Sequence, residues 1–166
     1  MRRLAISGVK CSVALVGIML LAGQAAAAAD AFAPFPGEWR GDGTIRFGDG
    51  AKERMRCTAN YEVRGSSGHE LNLAFRCRSD NYTFDLDGRV VSDKTGELSG
   101  QWTETSRNIG GTAFGKVDGE RVRVRIEASG FGANLLIGVR DNRQSVSIKS
   151  QGGGQQAEAQ ITLRRK

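Results

Sequence analysis

The stretch from residue 53 to residue 79 constrains the fold more than any other part of the chain. It holds two segments of alternating apolar and polar residues, ERMRCTANYEV and ELNLAFRCRS, on either side of the turn sequence RGSSGH. This pattern predicts a β-hairpin. With the turn centred on Ser67, the register that aligns the two apolar faces also places Cys57 opposite Cys77, whereas a slip of one residue would turn every side chain to the other face. The sequence therefore predicts a hairpin closed by a Cys57–Cys77 disulfide, the alternative being two buried free thiols.

The first 29 residues have the composition of a secretory leader. Three basic residues lie among the first ten, a 13-residue apolar run follows at 11–23, and small residues follow at 25–29. This order predicts a signal peptide over residues 1–29 and hence a periplasmic or secreted protein. The apolar run is shorter than the roughly 20 residues that a membrane-spanning helix needs, so we expect a protein that does not span the membrane. Cleavage removes Cys11 and leaves an even pair of cysteines, which in an exported chain favours a disulfide.

The mature chain is only mildly basic. The whole chain has a formal net charge of +6, and the leader holds three of the cations, so the mature chain carries 6 − 3 = +3. Such a weak charge argues against nucleic acid as a partner. The densest basic patch lies on one outer face and comprises Phe114, Lys116, Arg121, Arg123 and Arg125. It suits an anionic lipid or polysaccharide, or is an ordinary solvated strand face.

Period-two alternation runs through the chain after an extended N-terminal arm at residues 30–36. It predicts ten strands, at 39–47, 53–64, 70–79, 82–91, 97–106, 109–117, 120–129, 132–141, 144–152 and 157–165. The connections are too short for crossover helices, so chain neighbours should pair antiparallel. An all-β meander with one apolar face closes into an up-and-down barrel, which leaves no bare sheet edge. We therefore assign residues 37–166 to a single β-barrel domain, with a two-sheet sandwich as the alternative.

The order of the turns also predicts which residues face each other. Centring the next turns on Lys94 and on residues 107–108 places Leu86 opposite Trp102, and Trp102 opposite Ala113. Charged residues fall on the outward face, as expected for a barrel in water; a barrel in lipid would carry apolar residues there.

The two ends of the barrel sequence resemble the calycin pattern of lipocalins, fatty-acid-binding proteins and avidins. Gly37-Glu38-Trp39 opens the first strand and Leu163-Arg164-Arg165 closes the last. In that family a Gly-x-Trp motif meets a basic side chain from the last strand, so the resemblance implies that Arg165 packs across the indole of Trp39. The combination of Trp39, Cys57, Cys77 and the segment 100–104, GQWTE, also resembles small exported bacterial proteins of unassigned function.

The predicted barrel interior supplies the candidate ligand-binding residues. Small residues on the inward face leave room beside large aromatic ones, and such room is what a ligand cavity needs. One alternative is that Trp102 fills the space, because interiors are packed to high density. Another role for the glycines on this face is to allow the strong coiling that a barrel needs. Glu104 points inward near a strand end, where it would anchor a polar group of a ligand or sit at the mouth paired with an arginine. The candidates are Trp39, Leu86, Trp102, Glu104, Gly111, Ala113 and Gly115.

No motif for catalysis, a metal or a cofactor is found in the sequence. His69 is the only histidine, so a His-based metal cluster or a catalytic triad is not expected. The segment GGTAFGK at 110–116 matches part of a phosphate-binding loop, but Val117 follows where that loop needs Ser or Thr. We therefore expect no catalytic residue and no cofactor, and predict that the protein is not an enzyme.

Two classes of function remain from the sequence. The first is a binding module that holds a small, mostly apolar ligand inside the barrel. The second is a protein-interaction module, such as a secreted protease inhibitor, whose arm at 30–36 enters a partner's cleft. Small bacterial metalloprotease inhibitors resemble this architecture of barrel, single disulfide and N-terminal arm. The competing interpretation of the arm is a strap packed over one end of the barrel.

Overall fold

The computed structural model describes residues 31–65, 68–152 and 156–166, and its fold is a closed antiparallel β-barrel. Each strand pairs with its neighbours in the chain, and the first strand pairs with the last. The predicted leader at 1–29, Asp30 of the predicted arm and the turn centre Ser67 lie outside the described residues. Within the described residues there is no helix long and apolar enough to cross a membrane.

The strands follow the alternation of the sequence closely. They are β1 (Gly37–Phe47), β2 (Lys52–Arg64), β3 (Glu70–Arg78), β4 (Thr83–Ser92), β5 (Glu97–Glu104), β6 (Ile109–Asp118), β7 (Arg121–Ala128), β8 (Phe131–Arg140), β9 (Arg143–Gly152) and β10 (Ala157–Arg165). Apolar residues at every second position point into the barrel and form one continuous core, while the residues between them are exposed or half-buried. This confirms the all-β meander closed into a barrel and excludes the two-sheet sandwich.

The Cys57–Cys77 disulfide joins β2 to β3, as predicted. The two residues are direct partners in the hairpin register, and both are buried on the inward face. Because they are 20 residues apart, the cross-link restricts the unfolded chain by roughly 3 kcal/mol in the chain-entropy description.

The register predicted for the β4–β5 and β5–β6 pairs was wrong by two residues. Leu86 lies opposite Glu104, and Trp102 lies opposite Gly88 on one side and Gly111 on the other. The first cause is the turn at 93–97, where the Asp93 carboxylate accepts hydrogen bonds from the backbone N–H groups of Thr95 and Glu97. Gly96 completes this turn with a φ of +81°, a left-handed conformation that favours glycine.

The second cause of the shift is the turn between β5 and β6. Residues 105–108 form a four-residue turn, whereas the sequence predicted a two-residue turn at 107–108. Asn108 adopts a φ of +52°, and Glu104 accepts hydrogen bonds from within the turn. Since each shift is an even number of residues, every inward side chain stays inward.

Residues 31–36 cover one end of the barrel, which we call the closed end. Residues 31–34 form a turn. The side chains of Phe32, within the turn, and Phe35, just after it, are buried. The indole N–H of Trp39 donates to the Phe35 carbonyl at 2.8 Å. We call residues 31–36 the strap.

Arg165 holds the strap and the first strand together. Its guanidinium lies 4.4 Å from the centre of the Trp39 ring, which confirms the contact implied by the calycin resemblance. The same guanidinium donates to the carbonyl of Pro34 at 2.7 Å and to the carbonyl of Pro36. The closed end is therefore sealed by residues from both ends of the barrel sequence.

Candidate ligand-binding cavity

The barrel interior contains two chambers of different size. The outer chamber has a volume of about 230 Å³ and is lined by residues near the end opposite the strap. The inner chamber, of about 80 Å³, lies towards the closed end and is lined by Phe32 and Phe35 of the strap together with barrel residues. The barrel is thus a cup, with the strap as its base and the outer chamber nearest its mouth.

A ring of large apolar side chains separates the chambers. These residues line both spaces: Phe75, Phe84, Leu86, Trp102, Ile126, Leu135 and Ile148. Trp102 is fixed by a hydrogen bond of 3.0 Å from its indole N–H to the carbonyl of Thr112, and its ring lies 6.0 Å from that of Phe131. Trp102 therefore narrows the interior at mid-height and leaves space on either side.

The mouth of the outer chamber carries aromatic and polar groups. Tyr82 packs edge-to-face on Phe47 with ring centres 5.6 Å apart, and the guanidinium of Arg107 lies 4.7 Å from the centre of the Tyr82 ring. Burial raises the pKa of Tyr82 by more than the nearby Arg107 charge lowers it, so its hydroxyl is neutral around pH 7. Ser129 and Ser150 complete the lining on the other side of the mouth.

Glu104 is buried at the same rim and serves mainly to fix the turn that follows it. One carboxylate oxygen accepts from the backbone N–H of Asp85 at 2.8 Å and from the Ser106 hydroxyl at 2.6 Å, and the other accepts from the N–H of Arg107 at 2.8 Å. The Arg107 guanidinium lies 3.4 Å away. Burial raises the pKa of Glu104, but these hydrogen bonds and the Arg107 charge outweigh it and hold the pKa below its usual value. Glu104 is therefore ionised at neutral pH and already paired.

A hydrogen bond crosses the barrel near its closed end. The Tyr61 hydroxyl donates to Oε1 of Gln144 at 3.0 Å, joining β2 to β9 through the interior. Gln144 is completely buried, and among the described residues its side-chain Nε2 has no hydrogen-bond partner. Burial raises the pKa of Tyr61 far above its ordinary value, so this bond is between neutral groups.

Of the predicted cavity residues, some line the outer chamber, some line the inner chamber and some line neither. Leu86, Trp102 and Glu104 line the outer chamber, and Leu86 and Trp102 also line the inner one. Ala113 lines the inner chamber only. Trp39 lines neither chamber, because its ring is enclosed between the strap and Arg165.

Gly111 and Gly115 also line neither chamber, so of the two roles considered for them the structure favours coiling of the wall over space for a ligand. A Cβ on Gly111 would overlap the backbone carbonyl of Glu127, and one on Gly115 would overlap that of Arg123. The absent side chains are thus replaced by the neighbouring strand, which coils closely against β6. These glycines shape the wall and do not create the cavity.

Several wall residues were not singled out from the sequence. Tyr82, Arg107 and Phe131 surround the mouth, and Ala133 and Ala159 are the small buried residues that leave the outer chamber open. Inward parity alone could have identified the two alanines. Tyr82 and Arg107 lie in or beside turns, and they could have been grouped only if it were known which turns lie at the same end of the barrel.

Across the parts of the chain that the structure describes, no group of three or more His, Cys, Asp or Glu residues is arranged to hold a metal ion.

Comparison with known proteins shows similarity in structure only. No protein-family model matches the sequence, and no curated protein matches it. The S-type phycobiliprotein lyase CPES from Guillardia theta superposes with a TM-score of 0.64 at 8% identity, over 81% of this chain and 90% of that one. Rv2717c from M. tuberculosis superposes with a TM-score of 0.64 at 15% identity, over 85% of this chain and 98% of that one. The fold is therefore a calycin-like β-barrel, as the terminal motifs implied.

The same comparison corrects the prediction that the protein is not an enzyme. One barrel with this fold is named a lyase. The lack of a recognisable nucleophile, base or metal motif in a calycin-like barrel is therefore no ground for excluding an enzymatic role.

Proposed function

We propose that this protein is an exported binding protein that holds a small, mostly apolar molecule in its outer chamber. The observation that carries the proposal is an apolar cavity of about 230 Å³ at the open end of a barrel whose other end is sealed by the strap. Ligand sites of this kind are concave, mostly apolar and largely preformed, with a few polar groups that fix orientation.

The volume of the chamber indicates the size of the ligand. An engineered cavity of about 150 Å³ lined by Leu, Ile and Phe is large enough to bind benzene. A chamber of about 230 Å³ suits one ring system or a short alkyl chain. Larger ligands would need the ring of side chains around Trp102 to move.

The electrostatics of the mouth favour an uncharged ligand. Arg107 is the cation nearest the chamber, and the ionised Glu104 lies 3.4 Å from it, so the pair contributes almost no net charge. The Arg107 guanidinium also donates to the carbonyl of Thr83 at 3.0 Å. A ligand carboxylate would therefore find no free cation among the described lining residues.

Export is supported by the leader-like first 29 residues and by a disulfide suited to an oxidising compartment. The mass of the protein purified from its native cells tests this part of the proposal. A chain that retains residues 1–29 would contradict it.

Calorimetric titration with toluene, 1-octanol and octanoate tests ligand binding. Toluene and 1-octanol should bind with a negative heat-capacity change, because apolar surface is buried, and octanoate should bind more weakly than 1-octanol. The substitution Ala133→Leu, which adds bulk to the outer chamber only, should weaken binding by at least about tenfold. Ala159→Leu fills the same chamber and serves as a second variant if Ala133→Leu is too unstable.

The matched control is Ala113→Leu. Ala113 is equally buried but lines only the inner chamber, so this variant should bind the probes within about threefold of the wild type. If Ala113→Leu abolishes binding and Ala133→Leu does not, the ligand site is not the outer chamber. If the wild type binds none of the probes, the proposal of a preformed apolar site is wrong.

A further inference from the structure

The outer surface of four adjacent strands carries a concentration of basic side chains that is not apparent in the sequence. The strands lie side by side in the order β9, β10, β1 and β2. Seven exposed cations on their outer faces, which we call the basic face, are Arg40, Arg46, Lys52, Arg54, Arg56, Arg143 and Arg164. They are separated by up to 124 positions in the sequence and become neighbours only when the barrel closes.

These cations make no close ion pair within the described part of the protein. Among the described residues, no carboxylate lies within 4.0 Å of any of the seven. The other carboxylates on the outer faces of the four strands are taken by other cations: Glu38 by Lys166, Glu62 by Arg64 and Glu158 by Lys149. Only Asp42 remains to offset the basic face, whose charge therefore exceeds the net +3 of the predicted mature chain.

The register places like charges directly beside one another. Arg164 is paired with Arg143 on one side and with Arg40 on the other, and Arg46 is paired with Lys52. Like charges at directly opposed positions of neighbouring strands destabilise a sheet. Asp42 lies opposite Arg56 and Glu158 lies opposite Arg46, but neither carboxylate comes within 4.0 Å of its cation. The repulsion among Arg143, Arg164 and Arg40 has no carboxylate opposite it in the register, so this row is suited to an anion that comes from outside.

The cations of the basic patch predicted from the sequence, by contrast, are mostly in ion pairs. Lys116 pairs with Glu97 at 2.9 Å, Arg125 with Glu127 at 2.5 Å, and Arg123 approaches Asp118 at 3.7 Å. Three of the four cations of that patch on β6 and β7 are therefore in ion pairs, and the fourth, Arg121, lies opposite Asp118 in the strand register. The patch provides a matched comparison for the basic face.

The size and chemistry of the basic face indicate an extended polyanion. Alternate residues on a strand are about 6.6–6.8 Å apart and neighbouring strands about 4.8 Å apart, so the cations form a grid that extends roughly 20 Å along β1. Side chains with hydroxyl or amide groups lie between the cations and can bond to sugar hydroxyls: Thr44, Thr58, Gln160 and Thr162. The exposed large apolar residues of the described chain, Val91, Phe114 and Leu136, are all on other strands.

We infer that the basic face binds an acidic polysaccharide, one that carries carboxylate or sulfate groups at regular intervals. The grid of cations matches such a chain, and the interleaved polar side chains suit its hydroxyl groups. Single-stranded nucleic acid would call for aromatic side chains on which bases stack, and a membrane surface for apolar side chains that insert. The basic face provides neither. This inference is independent of the ligand proposed for the interior.

Binding of defined polyanions to the mature protein tests the inference. Heparin and polygalacturonate serve as the sulfated and carboxylated probes, and their affinities should fall as the salt concentration rises. The variant R40Q/R143Q/R164Q should lose at least about tenfold in affinity, since each cation near an anionic surface contributes roughly fivefold. The control variant R121Q/R123Q/R125Q, which has the same change in net charge, should stay within about threefold of the wild type.

Thermal unfolding separates binding from a structural role of these arginines. Because R40Q/R143Q/R164Q removes like-charge repulsion and no ion pair within 4.0 Å, its unfolding midpoint should equal or exceed that of the wild type. A lower midpoint would show that the arginines stabilise the barrel and would overturn the argument from uncompensated charge. Equal losses of affinity in the two triple variants would show a general effect of net charge and would also overturn it.

The class of partner is tested by competition. A random-sequence DNA duplex and vesicles of phosphatidylcholine with phosphatidylglycerol should bind more weakly than the polysaccharides. Tighter binding of either, or no binding of heparin and polygalacturonate at low ionic strength, would refute an acidic polysaccharide as the partner.

Discussion

At the scale of single residues, the adjacent arginines Arg164 and Arg165 differ in what they contact. Its guanidinium stacks on Trp39 and donates to two carbonyls of the strap, whereas Arg164 is exposed. We expect Arg165→Ala to lower the free energy of unfolding by roughly 2 kcal/mol, from the lost cation–π contact and hydrogen bonds. Arg164→Ala should change it by less than about 0.5 kcal/mol.

Urea denaturation measures both changes through the unfolding midpoint, provided that the slope of the transition is unchanged. Equal midpoints for the two variants would show that Arg165 does not hold the closed end together.

Glu104 should make the stability of the barrel depend on acid pH. Its pKa in the folded protein is below the ordinary 4.5, so its contribution is fully present above pH 4.5 and is lost as the pH falls through the folded-state pKa. Glu104→Gln should therefore be less stable than the wild type at pH 7, by about 1–3 kcal/mol for disrupting a buried charged acceptor. The difference should shrink as the pH is lowered below 4.5.

Guanidinium chloride denaturation at a series of pH values provides the measurement. The control is Glu127→Gln, since Glu127 is exposed and contacts Arg125 at the surface; it should be close to the wild type throughout. A difference between Glu104→Gln and the wild type that does not vary with pH would contradict this role for the carboxylate.

At the scale of elements, the strap is part of the core although it is not a strand. Phe35 packs edge-to-face on Tyr61 with ring centres 5.4 Å apart and accepts the Trp39 hydrogen bond through its carbonyl. The buried phenyl ring predicts that Phe35→Ala costs about 3–5 kcal/mol of stability. Phe114→Ala removes the same group from an exposed position and should cost less than about 0.5 kcal/mol.

Thermal unfolding followed by circular dichroism compares the two variants. A small, equal effect of both would show that the strap is dispensable and would restore the possibility of an arm that is free to enter a partner's cleft. The burial of Phe32 and Phe35 is the observation that favours a strap.

The strands could be predicted from the sequence because period two is a local property, but the turns between them could be predicted less well. The hairpin at Cys57 and Cys77 was placed correctly because two apolar faces and two thiols all required one register. The turns after β4 were misplaced because their length depends on side-chain hydrogen bonds, such as those of Asp93 and Glu104, and on the left-handed conformations of Gly96 and Asn108. Alternation alone cannot distinguish registers that differ by two residues.

At the scale of the whole molecule, the features that the sequence did not predict are those that depend on closure of the barrel. Parity predicted that Leu86, Trp102 and Ala113 point inward, but the division of the interior into two chambers depends on the height of each residue in the closed barrel. The basic face depends on closure as well, because Arg40 and Arg164 meet only where β1 joins β10. Properties of one strand or one hairpin, and the Trp39–Arg165 contact that the family resemblance implied, were accessible from the sequence, whereas the chambers and the basic face, which depend on several strands at once, were not.

The single pairing of β1 with β10 has a consequence for how the chain folds. All the other strand pairs join consecutive strands, so their loops are short and the entropy lost in closing them is small. The β1–β10 seam joins residues more than 100 positions apart, as in the pairing of Trp39 with Arg165. Pairing at the seam costs the largest loop-closure entropy, so we expect it to form after the hairpins. Because Trp39 gains its cation–π partner across that seam, a change in its fluorescence should report the last stage of folding. The fluorescence of Trp102 should report the earlier collapse of the core around it.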